Sequence, residues 1–355
     1  MELPEKANEN REILKQSYSI VKDSDPYIRF LLITGVSKFS KVSIFSDLNN
    51  LADISFHPDF NALAGITQQE WEYNFADDIK LLEKENPSVL SDVKQWYNGY
   101  SWNGKETLYN PFSLLRFVES KQFENYWFNT GTPTFLVNII RKAGKFTLDE
   151  DESTSISALS QFDVNHLEFK PILFQTGYLT FAKVNFAEDS CQLKYPNKEV
   201  KSSLEQYLLA AYRQGPLSDA LPLVLRIRDA FNRNNIAQVI DIINTAFSTI
   251  PYDLWRGATE LHYHALVQLT FSLLGSYLQS EVHTAQGRCD ALIKTATHIY
   301  ALEFKLDKTA EEAVNQIFEK GYLTPYIYEP QQKIAIGINF SSELKKVEHY
   351  IVKNE

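Results

Sequence analysis

The sequence is short of the residues that staple a fold together. Its 355 residues include two cysteines, Cys191 and Cys289, which stand too far apart to mark a zinc site or a disulfide framework. Both are expected to be buried free thiols, as in proteins of a reducing, cytoplasmic compartment. Methionine occurs only as Met1. No apolar run reaches the 18 or so residues that a bilayer span requires, so a membrane protein is excluded. The opening residues, MELPEK, carry no basic segment followed by an apolar one, and no secretory leader is expected. Positive charge is also short, with a net of −10. That argues against a broad nucleic-acid-binding surface. It does not exclude a nuclease, because a bound divalent cation can supply the local positive charge that a phosphate needs.

Several catalytic signatures are missing as well. The chain has no H-E-x-x-H pair, no G-x-S-x-G elbow and no internal repeat. The only G-x-x-x-x-G-K string runs from Gly99 to Lys105, and Glu106 follows it where a phosphate loop needs Ser or Thr. No apolar strand ending in paired acids offers a second nucleotide motif. Four of the five tryptophans, Trp71, Trp96, Trp102 and Trp127, are expected in the core rather than on a base-stacking platform.

What is present is an ordinary globular composition, 44 % apolar and 23 % charged, long enough for about two domains. Residues 7–22 read as a helix with Ile13, Leu14, Tyr18 and Val21 on one stripe. The apolar run Ile28–Val36 reads as a strand buried on both faces, of the kind found in parallel α/β sheets. Helices are expected over 67–85, with a capping box at Thr67 and Glu70, and from Pro111 and Pro133 onward. The acidic stretch 147–158 reads as a linker, 172–186 as a strand pair, and 199–213 and 217–249 as helices. Ile250-Pro251 marks a second boundary. Beyond it the pattern is helix 258–276, strands near 278–285, 287–294 and 298–306, helix 308–321, then strands 333–340 and 346–352.

One constellation carries chemistry. Glu303 and Lys305 lie two apart in the strand IYALEFKLD, so they project from the same face, with Phe304 turned to the other layer. If the preceding strand pairs with this one, Asp290 reaches the same place. Two carboxylates beside a lysine suit a hard divalent cation such as Mg²⁺, with Lys305 placed to orient a water or stabilise charge on a phosphate oxygen. An acid and a lysine inside an apolar strand are costly unless paired or metal-bound. Gln316 and Lys320 share one face of the following helix, and Glu260 stands near the start of the preceding one.

These residues resemble a known family. The stretch from about 258 to 326, with GR-x-D, E-F-K and a following Q-I…K-x-Y, resembles the PD-(D/E)XK nuclease superfamily. More narrowly it resembles the module at the C-terminus of bacterial AAA-ATPase-like proteins. The resemblance implies Asp290 and Glu303 as metal ligands and Lys305 as the catalytic lysine. It adds Gln316 as a supporting catalytic-site residue and Glu260 as a further acid. Cys289 stands where the motif's proline would be. Residues 8–142 resemble the same family through NREILKQSYSIVKDSD, RFLLITGVSKFS, WYNGYSW, YNPFSLL and YWFNTGTP, and LFQTGYLTF and YPNKEV extend the likeness. The front of that family's ATPase domain, with its P-loop and Walker B strand, is missing. The chain is therefore expected to be N-terminally truncated, and ATP binding is not carried over.

The expected fold class is α/β: a partial AAA/P-loop-like NTPase domain over 1–146, a small middle region of helices and a β-hairpin over 147–250, and a PD-(D/E)XK restriction-endonuclease-like αβββαβ domain over 251–355. The expected function is a Mg²⁺- or Mn²⁺-dependent nuclease acting on DNA more than RNA. The alternative is a non-catalytic protein- or DNA-interaction module left from an AAA-ATPase/nuclease fusion.

Overall fold

The computed structural model describes residues 4–35, 51–130, 134–142, 152–159, 169–250, 260–275 and 289–354. The chain forms two compact units, one of residues 1–139 and 148–201, the other of residues 140–147 and 202–355.

The first unit opens with helix α1, Pro4–Asp23. The segment after it departs from the sequence expectation. Residues 28–35 form no strand, and Phe30 is 78 % exposed. A central strand needs hydrogen-bonding neighbours on both edges, and among the described residues none pairs with this one. Ile13 and Leu14 of the α1 stripe are likewise exposed. Val36 lies outside the described residues.

A compact helical core follows. The expected helix over 67–85 is broken at Phe75 into α2, Gln68–Asn74, and α3, Ala76–Glu85. Thr67 and Glu70 form the anticipated capping box: each side chain accepts from the other residue's backbone N–H. α4 is Val89–Tyr97, and the short strands β1, Asn98–Tyr100, and β2, Leu108–Tyr109, pair antiparallel. Asn110 caps α5, Pro111–Ser120, by accepting from the Phe112 and Ser113 amides. These elements enclose Trp71, Tyr97, Tyr109, Leu114 and Phe117, and burying an apolar side chain of the size of Leu114 or Phe117 stabilises the unit by about 1.5–3 kcal/mol. The stretch that imitates a phosphate loop turns at Asn103, whose Oδ1 accepts from the Lys105 and Glu106 amides, and leads into β2 rather than a helix.

α6 spans Thr134–Lys142. The expected linker contains β3, Ser153–Ser155, followed by α7, Ile156–Leu159. The expected strand pair over 172–186 is instead α8, Phe169–Gln175, followed by β4, Thr180–Asn185. β4 pairs with β5, Ser190–Lys194, which lies between β3 and β4 in a three-stranded sheet. ILF packs as well on a helix as on a strand, and a short apolar run does not distinguish the two.

α9, Lys198–Arg213, crosses the division between the units after Lys201. Gly99 and Pro196 show why the motifs of the first unit need their residue types. A Cβ at Gly99, whose φ is +134°, would stand 1.7 Å from the Pro196 carbonyl oxygen. Close by in sequence, Glu199 is fully buried and its Oε1 accepts from the Trp127 amide at 2.7 Å, while Oε2 has no partner. WYNGYSW and YPNKEV thus pack backbone against backbone, and Glu199 ties the turn of YWFNTGTP to the start of α9.

The second unit continues with α10, Ala220–Asn232, and α11, Ile236–Ser248. The single helix expected over 217–249 is interrupted where Asn234 adopts φ +52° and Asn235 caps α11. α12 is Glu260–Gly275. The sheet then runs β6, Ala291–Lys294; β7, His298–Leu306; β8, Gln332–Ser341; and β9, Lys346–Asn354, in that spatial order. β7 and β8 are parallel and are joined through α13, Ala310–Glu319; the outer pairs are antiparallel. The strand expected near 278–285 lies outside the described residues.

β7 alternates as its sequence requires. Tyr300 and Phe304 face the helical layer, where Tyr300 packs on Phe231 and Phe304 on Phe271. Ile299 and Ala301 face the opposite way, into a core with Val314, Ile317, Tyr322, Leu323 and Ala335. The edge of β9 is capped by a side chain: Asn244 of α11 accepts from the Val347 amide at 2.7 Å and donates to its carbonyl.

Burial pushes the Glu199 carboxyl up to about 7, against the pull of nearby Ser113 and of the Trp127 and Phe128 N–H groups. The folded chain then keeps a proton that the unfolded chain releases between about pH 4.5 and 7, so this group's contribution to stability falls as pH rises through that window. Glu199→Gln keeps the acceptor for Trp127 and removes the charge. Its melting temperature should exceed that of the wild type above pH 7, with the gap closing towards pH 4.5. Melting curves of both proteins across this range are the check, and a gap independent of pH would contradict it.

Candidate active site

The strand pair expected around the acid–acid–lysine set is present. β6 and β7 pair antiparallel with Ala291 opposite Leu302, which places Asp290, at the bend before β6, beside Glu303. Asp290 Oδ2 accepts a hydrogen bond from the Phe304 amide at 2.8 Å. The bend re-aims the carboxylate across the end of the hairpin, onto the backbone between Glu303 and Lys305.

Glu303 is 3 % exposed. Its Oε1 accepts from Lys305 Nζ at 3.1 Å and from Gln316 Nε2. Gln316 in turn accepts from Lys305 Nζ through its Oε1 at 2.6 Å. The three side chains therefore close a ring of hydrogen bonds in which the amide of Gln316 is oriented by both charges. Lys305 spends two of its three N–H donors within this ring. Tyr322, fully buried in the core beneath α13, brings its hydroxyl to 3.5 Å from Gln316 Nε2. It combines a packing role with a place at the edge of the site. Cys289 shares the core cluster of Tyr322. Its thiol donates to the Ala291 carbonyl, and burial raises it to about 12, so it is inert as a nucleophile at neutral pH. The free, buried state expected of both cysteines holds.

The electrostatics of Glu303 are those of an unsatisfied anion. Burial is the largest influence and the Asp290 charge adds to it; together they raise its carboxyl to about 7 against the opposing charge and hydrogen bond of Lys305. Glu303 Oε2 is buried and has no hydrogen-bond partner. A buried carboxylate oxygen without a partner, next to a second carboxylate, is a pair of oxygen donors that could hold a hard cation. Among the described residues no group of three or more His, Cys, Asp or Glu side chains could hold a metal. The pair Asp290 and Glu303 is what the described residues offer, and that suits Mg²⁺ or Mn²⁺, which bind through one or two carboxylates and keep several waters. A thiolate- and imidazole-seeking metal finds nothing here.

Of the residues singled out in the sequence, Asp290, Glu303, Lys305 and Gln316 are brought together. Lys320 is exposed at the end of α13. Glu260 begins α12, and its side chain lies outside the described residues. The contact between Asp290 and the Phe304 amide carried no signal in the sequence, because it depends on a bend at a strand end. The double hydrogen bond of Gln316 became visible only once α13 was seated on β7.

A family model described as "PD-(D/E)XK nuclease superfamily" matches residues 258–350, and one described as "Predicted AAA-ATPase" matches residues 1–45. The chain is also similar to a protein of Azotobacter chroococcum mcd 1 described as "Uncharacterized protein in vnfD 5'region". The two are 36 % identical over 360 residues, which is 99 % of this chain and 68 % of the other. No solved structure matches the chain.

The unpaired oxygen of Glu303 makes a stability prediction. Removing this buried charge in Glu303→Gln should raise the melting temperature by a few degrees when measured in chelator at pH 8. Scanning calorimetry of both proteins decides it; a lowered melting temperature would show that the bond to Lys305 outweighs the burial of the charge.

Proposed function

The chain belongs to one family with the Azotobacter protein and carries AAA-ATPase-like and PD-(D/E)XK nuclease-superfamily segments, and on that premise we propose that it is a Mg²⁺- or Mn²⁺-dependent nuclease that hydrolyses phosphodiester bonds of DNA in preference to RNA. The observation that carries the reading is the orphaned Glu303 Oε2 beside Asp290, with Lys305 held in place at the same point. Asp290 and Glu303 would hold the cation. Once bound, it would neutralise phosphate charge and lower the pKa of a coordinated water.

The protein's own groups have distinct tasks. Lys305 is turned towards the site by Glu303 and Gln316, and its remaining N–H is placed to donate to a phosphate oxygen or to the attacking water. Gln316 braces the Lys305–Glu303 ion pair, because its amide bonds both partners at once. Asp290, anchored by the Phe304 amide, keeps a fixed second carboxylate at the site. A lysine bonded on two sides reorganises little when charge develops on the phosphate, which is the source of the catalytic advantage.

The N-terminal segment matches the AAA-ATPase-like description without supplying a phosphate loop. The first unit, to which this segment belongs, would serve as a scaffold or contact module.

The purified chain should nick or degrade plasmid and linear DNA in Mg²⁺ or Mn²⁺ and cleave RNA more slowly. Lys305→Ala should reduce the rate by about 10²-fold or more while leaving the fold intact. Equal cleavage by the wild type and Lys305→Ala would overturn the catalytic assignment. Retained DNA binding without cleavage would favour the non-catalytic interaction module.

A further inference from the structure

The ring of Glu303, Lys305 and Gln316 exists only if α13 lies very close to the sheet, and the strand beside Glu303 carries the residue that permits this. In the parallel register Glu303 stands opposite Gly337 and Lys305 opposite Asn339. Cross-strand partners share a face, so Gly337 lies on the face that carries Glu303. A Cβ placed on Gly337 would stand 2.2 Å from the Ala310 carbonyl oxygen and 2.5 Å from the Val314 amide nitrogen. Both are backbone atoms of α13, so no rotamer change in the helix relieves the clash. Smaller side chains line the same approach: Ala301 and Ala335 on the sheet, Ala310 and Ala313 on the helix, all buried.

We infer that Gly337 is a positioning residue of the site: the missing side chain sets the distance of α13 from the sheet, and through it the reach of Gln316 to Glu303 and Lys305. Gly337 has no group that touches a substrate or a metal. It acts through Gln316, which lies about one and a half turns beyond Ala310 on the same helix. Any Cβ at 337 lifts the helix from the strand. Gln316 Oε1 accepts from Lys305 Nζ at 2.6 Å, and lifting the helix lengthens this bond. The inference rests on the nuclease reading for its functional consequence and on packing alone for its structural one.

The test is a double-mutant cycle on the full chain. Gly337→Ala should weaken Mn²⁺ binding, measured by titration calorimetry, by about tenfold, as loss of a partner that orients a ligand does. It should lower kcat for DNA cleavage by about 10²-fold with KM little changed. In a Gln316→Ala background the same substitution should add almost nothing to either loss, although it should still lower the melting temperature. Gln316→Asn, which shortens the amide's reach with Gly337 intact, should reproduce the loss of kcat, and it serves if Gly337→Ala does not fold. Full, additive losses in the two backgrounds would overturn the inference, as would a folded Gly337→Ala protein with wild-type binding and turnover. If the wild type neither binds Mn²⁺ nor cleaves DNA, the nuclease reading fails. The positioning inference is then decided by hydrogen exchange: faster exchange of the α13 amides in Gly337→Ala supports it, and unchanged exchange overturns it.

Discussion

The burial of one carboxylate governs the second unit. Glu303 lies near the middle of a parallel strand pair, covered by a helix, with one oxygen bonded and the other left without a partner. Left alone, such a group would be excluded from an apolar layer or would stay protonated. Lys305 and Gln316 make it tolerable without satisfying it. Everything around the site serves that incomplete satisfaction. The small residues at the interface bring the helix down, the hairpin of β6 and β7 delivers Asp290, and the aromatic layer of Tyr300, Phe304 and Phe340 stiffens the sheet from behind. The site is therefore a local loss of stability held by the surrounding packing, which is a common condition of functional sites.

The first unit repeats the theme without an evident reaction. Glu199 is also fully buried with one oxygen that makes no hydrogen bond, but no carboxylate among the described residues contributes to its raised pKa, and its bonded oxygen accepts from a backbone amide. Its role is to tie together segments distant in the chain. The motifs WYNGYSW, YWFNTGTP and YPNKEV owe their residue types to this packing: a glycine where a carbonyl approaches, and an acid where a turn needs an acceptor.

The C-terminal elements were the most legible in the sequence. β7 was placed at its true limits, because a short apolar run rich in β-branched and aromatic residues, bounded by the turn at Thr295–Thr297, is a strong signal. The capping box at Thr67 and the proline at Pro111 marked helix starts correctly, since both signals are local. The misreadings share a cause. Ile28–Val36 and Ile172–Phe174 are apolar runs whose form depends on neighbours rather than on their own pattern. The first has no partner strand among the described residues, and the second packs as a helix. The helix over 217–249 was read through Asn234 because a left-handed asparagine leaves little mark in composition.

The amino-acid sequence by itself determined the chemistry on offer: two carboxylates, a lysine two positions from one of them, a glutamine on the next helix, and no cysteine spacing of a zinc site. Residue type and strand period decide those matters locally. Only the tertiary structure decided whether the groups meet and in what state. The register of β6 on β7 set Asp290 beside Glu303, the depth of burial left one oxygen unpaired, and a glycine on a third strand admitted the helix that carries Gln316. Distance and desolvation arise from contacts between segments far apart in the chain, and no local pattern encodes them.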